Sequence, residues 1–563
     1  MALLTLSSAA SGVNGFDETI QFVGLTSTLE HAQKVLALKN PDFASIHSNL
    51  EFYGIASRVP GYLIWTALRI AKKIVDPFGD LGLSTYNGTG LGDAYRSGYF
   101  AISHLISVSY LVGTSIIVNR VTRRLGAPHP ELAGVMTLLY PALIGFSLIS
   151  IKDTAFAFFY SLYSYATAST WWQRYERMVT GGKQGQENRQ ICLHAGVAGL
   201  LVSIYTSSLL VVLATETIMA ATFLGKTRLP IRLFTRKLLI FIALTGATWF
   251  ILSPQGWNRP LPFLLQSIHY SLDGSQAWGG CMNFLNTCPR KGEDWNAVTY
   301  LKEWLFSTMP LLHLFGLILA IILIAIFIKD LIYSWKTEKY RLDIMATNAI
   351  ASPFLLSFLL QASIIPSVLF ARNGFIYDSI RHVLFLLPPL TIFSYLGLAQ
   401  TFTRCNGRKP RIALTLITGI MACLVLVNLV LLHPYQYTYF NELALARGIN
   451  WTNTDIDFYY ASDAESLRNF MKTDEFKQFA SEGGLDVKGS PSMEGAYIWN
   501  HFPRKEGHAY FFTNHTRQPG VRLKQDCEQI GKDVFRTQFL GPVNIYGTPQ
   551  VCLASSYRDW DPF

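Results

Sequence analysis

The sequence predicts a mainly α protein: a polytopic transmembrane helical bundle with a small extracytoplasmic α+β domain at its C-terminal end. Three observations carry this. The chain of 563 residues is 50% hydrophobic and only 15% charged, against about 25% charged in a soluble domain. Apolar runs of roughly 17 to 24 residues follow one another, each long enough for a hydrocarbon core of about 30 Å. Basic residues gather in the short connections between those runs, which is how orientation in a membrane is encoded.

The charge pattern comes first, because a net charge of +10 would otherwise suggest nucleic acid. Five loops hold 20 basic against 6 acidic residues: 119–131, 173–190, 225–237, 329–345 and 402–412. The rest of the chain is slightly acidic. No nucleic acid partner is expected; the loops are read as cytoplasmic. Passes are then expected near 97–118, 132–149, 155–172, 191–206, 207–224, 237–253, 306–328, 347–371, 382–401 and 413–432. The pair within 191–224 is either two short passes or one pass with a re-entrant piece.

Ten passes place residues 1–96 and 433–563 on the same outer side. This gives three expected regions: a first extracytoplasmic loop (1–96), a transmembrane bundle (97–432) and an extracytoplasmic C-terminal domain (433–563). Met1 to Val13 is apolar but too short to span, and it lacks the basic start of a signal peptide. Either the chain begins late, or this stretch is the remnant of a first transmembrane helix. The run 52–75, interrupted by Arg58, Pro60 and Lys72-Lys73, fits a helix lying in the interface. The C-terminal region shows strand-like runs at Tyr510–Phe512 and Val543–Tyr546, with a helical stretch near 463–481.

Of the 7 cysteines, Cys281, Cys288, Cys527 and Cys552 fall outside. They suit two disulfides, 281–288 and 527–552, or four free thiols. No CxxC pair supports zinc. Sequons at Asn87, Asn450 and Asn514 all fall in segments expected outside.

Ionisable side chains in such a protein are costly and mark function. Four groups cluster at outer membrane edges: Asp17-Glu18 in a loop after the first apolar run, Glu51, Lys152-Asp153 in a turn of about five residues, and Arg372, Asp378, Arg381 and His382. Each also has a bland reading. Asp17-Glu18 would be solvated acids, Lys152 a snorkelling lysine, Asp153 a helix cap and Arg381-His382 an interfacial anchor. Acids together with Arg, Lys and His on one face suit a lipid-linked phosphate substrate. Carboxylates take a proton or hold a metal, and cations bind phosphate.

These residues carry a family resemblance. Asp17-Glu18, Asn49–Gly54, Ile151–Ala157, Asp378–Pro389 and His433–Glu442 resemble stretches of the GT-C superfamily of polytopic glycosyltransferases. The likeness is to bacterial relatives of protein O-mannosyltransferase and aminoarabinose transferase, family 39-like. The resemblance implies a polyprenyl-phosphate-sugar-dependent glycosyltransferase in a bilayer, the bacterial inner membrane or the endoplasmic reticulum, with its site on the extracytoplasmic face. It implies Asp17 as general base beside Glu18, and Asp153 orienting the site or a divalent metal (Mg or Mn). Glu51 is a further candidate acid. Arg381, His382, Lys152 and Arg58 are candidates for the donor phosphate. The acceptor, a glycan, lipid or protein, is left open. A transporter or flippase of a lipid-linked anion is the alternative. It would place ionisable groups mid-span in repeated halves, whereas Glu216 is the main mid-span acid and no halves repeat.

Overall fold

In the computed structural model, the described residues are 16–38, 54–75, 99–180, 185–227, 231–273, 284–287, 289, 294–336, 352–449, 453–454, 456, 474, 508–514, 527–529, 534–539 and 543–553. They are mainly helical. In chain order the helices are α1 (Phe16–Leu36), α2 (Val59–Val75), α3 (Tyr99–Arg124), α4 (Glu131–Leu138), α5 (Pro141–Ile149), α6 (Ile151–Thr180), α7 (Gly185–Ile204) and α8 (Ser208–Thr227). There follow α9 (Ile231–Leu252), α10 (Pro260–Asp273), α11 (Ala297–Thr308), α12 (Leu311–Lys336), α13 (Pro353–Arg372), α14 (Leu387–Arg404), α15 (Arg408–Leu431) and α16 (Glu442–Ala446).

Among the described residues, 6 helices are long and apolar enough to cross a membrane, or 7 with the bent pair α4 and α5 counted as one. This is an integral membrane protein. Helices α6, α7 and α8 coincide with expected passes but do not reach that level of length and apolarity. Their interiors carry Ser, Thr, Tyr, His and Glu, several of them buried.

Local sequence explains the breaks. The α4–α5 pair bends by 58° at Tyr140-Pro141. Proline supplies no N–H and pushes its predecessor to extended backbone, and Tyr140 has φ −80° and ψ 109°. Helix α13 ends at Asn373, which takes the left-handed conformation at φ 47° that closes many helices. Helix α14 begins at Leu387-Pro388-Pro389, where proline suits the first turn. A 3-10 turn, Arg381–Leu386, precedes it.

The core runs through the middle of the bundle. Tyr140, Phe146, Tyr160, Tyr163, Ile204, Trp304, Phe385 and Leu387 are all buried in one cluster. The apolar stretch of Arg381–Arg404 is 72% buried inside the protein, that of Phe234–Leu252 only 11%. Helix α14 is therefore central, and α9 presents its side chains outward.

Helix α1 differs from the sequence expectation. Asp17-Glu18 was expected in a loop; the described backbone is instead helical over Phe16–Leu36. The helix is fixed by Phe22 and Leu25, buried with Trp65 of α2 and Tyr99 and Phe100 of α3. Helix α2 coincides with the expected interfacial helix. It buries Trp65 and leaves Leu63, Leu68 and Ile70 exposed.

At the C-terminal end the described residues form four strands: β1 (His508–Asn514), β2 (Cys527–Gln529), β3 (Val534–Thr537) and β4 (Val543–Leu553). β1, β2 and β3 each pair antiparallel with β4. The register sets Cys527 opposite Cys552. The sheet meets the bundle through Gln538, whose Nε2 donates to the Phe440 carbonyl and whose Oε1 accepts the Phe440 N–H at 3.1 Å. Apart from Asp474, the helical stretch expected near 463–481 lies outside the described residues. So do Cys281, Cys288, Asn87 and Asn450.

Candidate active site

One end of the bundle collects the segments that carry the sequence candidates. The N-terminus of α6, the break between α7 and α8, and the 3-10 turn before α14 meet there. The contact runs through Phe156, whose ring lies 4.9 Å from Tyr205 and 5.6 Å from Phe385.

Asp153 sits in the first turn of α6. Its Oδ2 accepts from the Ser150 hydroxyl at 2.8 Å, and its Oδ1 accepts from the Tyr205 hydroxyl at 2.8 Å. The first contact joins the residue before the helix to its third residue, side chain to side chain. The second comes from another helix end. Asp153 thus links its own helix start to the α7–α8 break. Lys152 does not snorkel outward: it is 5% exposed, with Nζ 4.1 Å from the centre of the Tyr205 ring. Tyr205 holds the acid by its hydroxyl and the cation by its π face. The sequence reading did not single it out. Its signal was the break in 191–224, where an aromatic residue stands between two short apolar runs.

Arg381 opens the 3-10 turn that carries Phe385. Its Nη2 is 3.0 Å from Asp378 Oδ2, and both side chains are buried. Its Nε donates to His382 Nε2 at 3.2 Å, and its Cζ stands 4.9 Å from the Tyr377 ring. The preceding loop is strained: Asp378 and Ser379 have φ of 56° and 62°, a region that costs residues with a side chain about 1–3 kcal/mol each. It is pinned by neighbours. The Ser379 N–H donates to the Tyr300 hydroxyl at 3.0 Å. Asn373 accepts the Ala297 N–H at 2.8 Å and donates to the Trp295 carbonyl at 2.9 Å. The Trp295 indole donates to the Gly374 carbonyl at 3.2 Å. The loop is held in one shape, and with it the Asp378–Arg381–His382 set.

Arg58 is buried, with its guanidinium donating to the Gln21 carbonyl and, at 2.7 Å, to the Gly54 carbonyl. It ties α1 to the start of α2. Gly54 itself packs on the end of α7; a Cβ there would overlap the Ser203 and Ile204 carbonyls. The segment bearing Arg58 therefore abuts the residues just before Tyr205. Asp17 and Glu18 open α1, but their side chains, like all of Glu51, lie outside the described residues.

The His433–Glu442 stretch, part of the family resemblance, is a fastening. Gln436 donates to the Leu429 carbonyl at 3.0 Å, and Asn441 to the Met309 carbonyl at 2.8 Å. Gly145 of α5 lies so close to Tyr437 that a Cβ would overlap its backbone. Burial holds the half-buried Glu442 carboxyl above the ordinary carboxylate range.

Among the described residues no group of three His, Cys, Asp or Glu gathers as a metal site. Both oxygens of Asp153 accept hydrogen bonds, and Asp378 pairs with Arg381. The described residues alone do not supply a coordination sphere for Mg or Mn.

No protein-family model matches the chain, and no curated protein matches it. Among solved structures, the archaeal oligosaccharyltransferase AglB from Archaeoglobus fulgidus, in complex with an inhibitory peptide and a dolichol-phosphate, is similar over 85% of this chain. Identity is 12% and the TM-score 0.42; the match covers 59% of that protein. The chain thus spans under two thirds of that protein's length. A likeness at this level says nothing about site or substrate, and the functional reading rests on the residues themselves.

Proposed function

We propose that the protein is a membrane glycosyltransferase that moves a sugar from a polyprenyl-phosphate donor to an acceptor hydroxyl on the extracytoplasmic side. One observation supports this most: two acid–cation sets, Lys152-Asp153 with Tyr205 and Asp378-Arg381-His382, stand on segments of the apolar bundle that touch through Phe156 and Phe385. Both sets fall in segments that are outer by the charge rule. The motif resemblance supplies the reaction class.

The chemistry is economical. The acceptor oxygen attacks the anomeric carbon, and the bond from that carbon to the phosphate oxygen breaks. The acceptor's proton goes to a carboxylate, Asp17 in this reading. The bonding pair leaves with the polyprenyl phosphate, whose charge Lys152 and Arg381 stabilise in a site shielded from water. Asp153, held by Ser150 and Tyr205, fixes Lys152 and the helix start in register. Arg58, spent on two backbone carbonyls, acts on the architecture rather than on phosphate. A divalent metal remains a proposal that would draw ligands from Asp17, Glu18 or Glu51.

The test is turnover of a panel of polyprenyl-phosphate sugars by the purified full chain in lipid. Release of polyprenyl phosphate is expected from wild type. It is expected to be lost in Asp17→Asn, with melting unchanged. Full turnover in that variant removes Asp17 as base; no turnover of any donor by wild type removes the reading.

A further inference from the structure

A groove of about 550 Å³ lies against the start of α15, lined by Gly407, Arg408, Arg411, Ile412, Thr415 and Leu416, among others. None of these residues belongs to the Lys152-Asp153 or Asp378-Arg381-His382 set. We infer that the groove binds one anionic phospholipid, its headgroup on the arginines and the first part of an acyl chain on the apolar residues below them.

Charge is the first argument. Arg404, Arg408, Lys409 and Arg411 fall within eight residues, and all four are exposed. No Asp or Glu occurs between Asp378 and Glu442. Among the described residues no carboxylate forms an ion pair with any of the four. Arg411 Nε donates to the Cys405 carbonyl at 3.0 Å. That bond crosses the turn and fixes the side chain, while the terminal nitrogens of its guanidinium face no acid. A guanidinium fork matches the oxygens of a phosphodiester. A zwitterionic headgroup would bring its own cation to a groove that holds only cations.

The order of side chains is the second argument. Arg408, Arg411, Ile412, Thr415 and Leu416 are three or four residues apart, so they share one helix face. Along that face the cations come first and the apolar side chains follow, over about 12 Å. Ile412 is 47% exposed and Leu416 60%. The apolar stretch of α15 is only 17% buried inside the protein, so its outer face meets lipid. A free phosphate would satisfy the arginines and leave the apolar half of the groove uncovered; a phospholipid covers both. The turn itself is tight. Only Cys405–Gly407 separate α14 from α15, and Gly407 has a φ of 115°, which glycine alone adopts readily.

The experiment titrates the purified full chain in detergent with phosphatidylglycerol and counts bound lipids by native mass spectrometry, with phosphatidylcholine of equal acyl length as the comparison. One phosphatidylglycerol per chain is expected at saturation, held at least about tenfold more tightly than phosphatidylcholine. A Lys or Arg at a membrane surface favours anionic lipid roughly fivefold, so Arg408→Gln with Arg411→Gln should weaken binding at least about tenfold. Arg189→Gln with Arg236→Gln removes the same charge from exposed positions on α7 and α9 and should leave it unchanged. Absence of saturable binding, equal affinity for the two lipids, or an equal loss in both double variants overturns the site. Should loss of the Arg411–Cys405 bond unfold the chain, Arg408→Gln with Lys409→Gln carries the comparison.

Discussion

Tyr205 decides how the acidic turn behaves. One hydroxyl and one ring face hold Asp153 and Lys152 together, so the two can be separated by mutation. Tyr205→Phe keeps the ring over Lys152 and removes the bond to Asp153. A hydrogen bond to a charged acceptor contributes about 1.5–3 kcal/mol. Tyr205→Phe should therefore lower melting, and turnover of the folded fraction should fall severalfold or more, read by thermal melting and steady-state turnover. Tyr205→Leu removes both and should fall further. Glu442 tests burial by a different route. Its folded-state pKa is raised, so its stabilising contribution is complete below the unfolded value and lost as pH rises through the folded one. Wild type should therefore lose stability across that window, and Glu442→Gln should not. Melting curves between pH 4 and 8 measure this, and parallel curves would remove the assignment.

At the scale of elements, the site depends on contacts made some distance from it. Gly54 lets the segment before α2 lie against the last turn of α7, immediately before Tyr205. Gly54→Ala should cost about 1–3 kcal/mol from overpacking, and it should lower turnover beyond the loss of folded protein, because Tyr205 shifts relative to Asp153. Thermal melting and specific activity of the folded fraction separate the two effects. Tyr300→Phe leaves the Ser379 N–H without its acceptor in a strained loop. It should weaken donor binding several-fold while sparing helix content, measured by donor titration and circular dichroism. Much at this scale was legible in the sequence. Apolar run lengths and basic loops placed the helices close to where they lie. The helical state of Asp17-Glu18 was not legible, because two adjacent acids after a short apolar run look like a loop. Nor was Tyr205, whose role arises only when α6 and the α7–α8 break are brought together. His433–Glu442 was legible as a motif but not as a fastening, since Asn441 bonds to the Phe306 and Met309 carbonyls, far away in sequence.

Across the whole molecule, charge is sorted by end. Among the described residues, Arg123-Arg124 close α3, Arg404 closes α14 and Arg408 opens α15, while Lys152-Asp153 stand in the first turn of α6 and Arg381 precedes α14. Orientation can be checked with single cysteines placed at Asn373 and Asn406 in a chain lacking its own cysteines. In intact cells an impermeant maleimide should label position 373 and not 406; the reverse pattern would put the site on the cytoplasmic side. The central claim is that the outer end binds a polyprenyl phosphate through Lys152 and Arg381. Its most direct test is the affinity of the purified full chain for polyprenyl phosphate, compared among wild type, Lys152→Gln and Arg381→Lys. We predict saturable binding that weakens at least about tenfold in Lys152→Gln and measurably in Arg381→Lys, whose single ammonium cannot reproduce the guanidinium fork. Equal affinity in all three proteins would contradict the account.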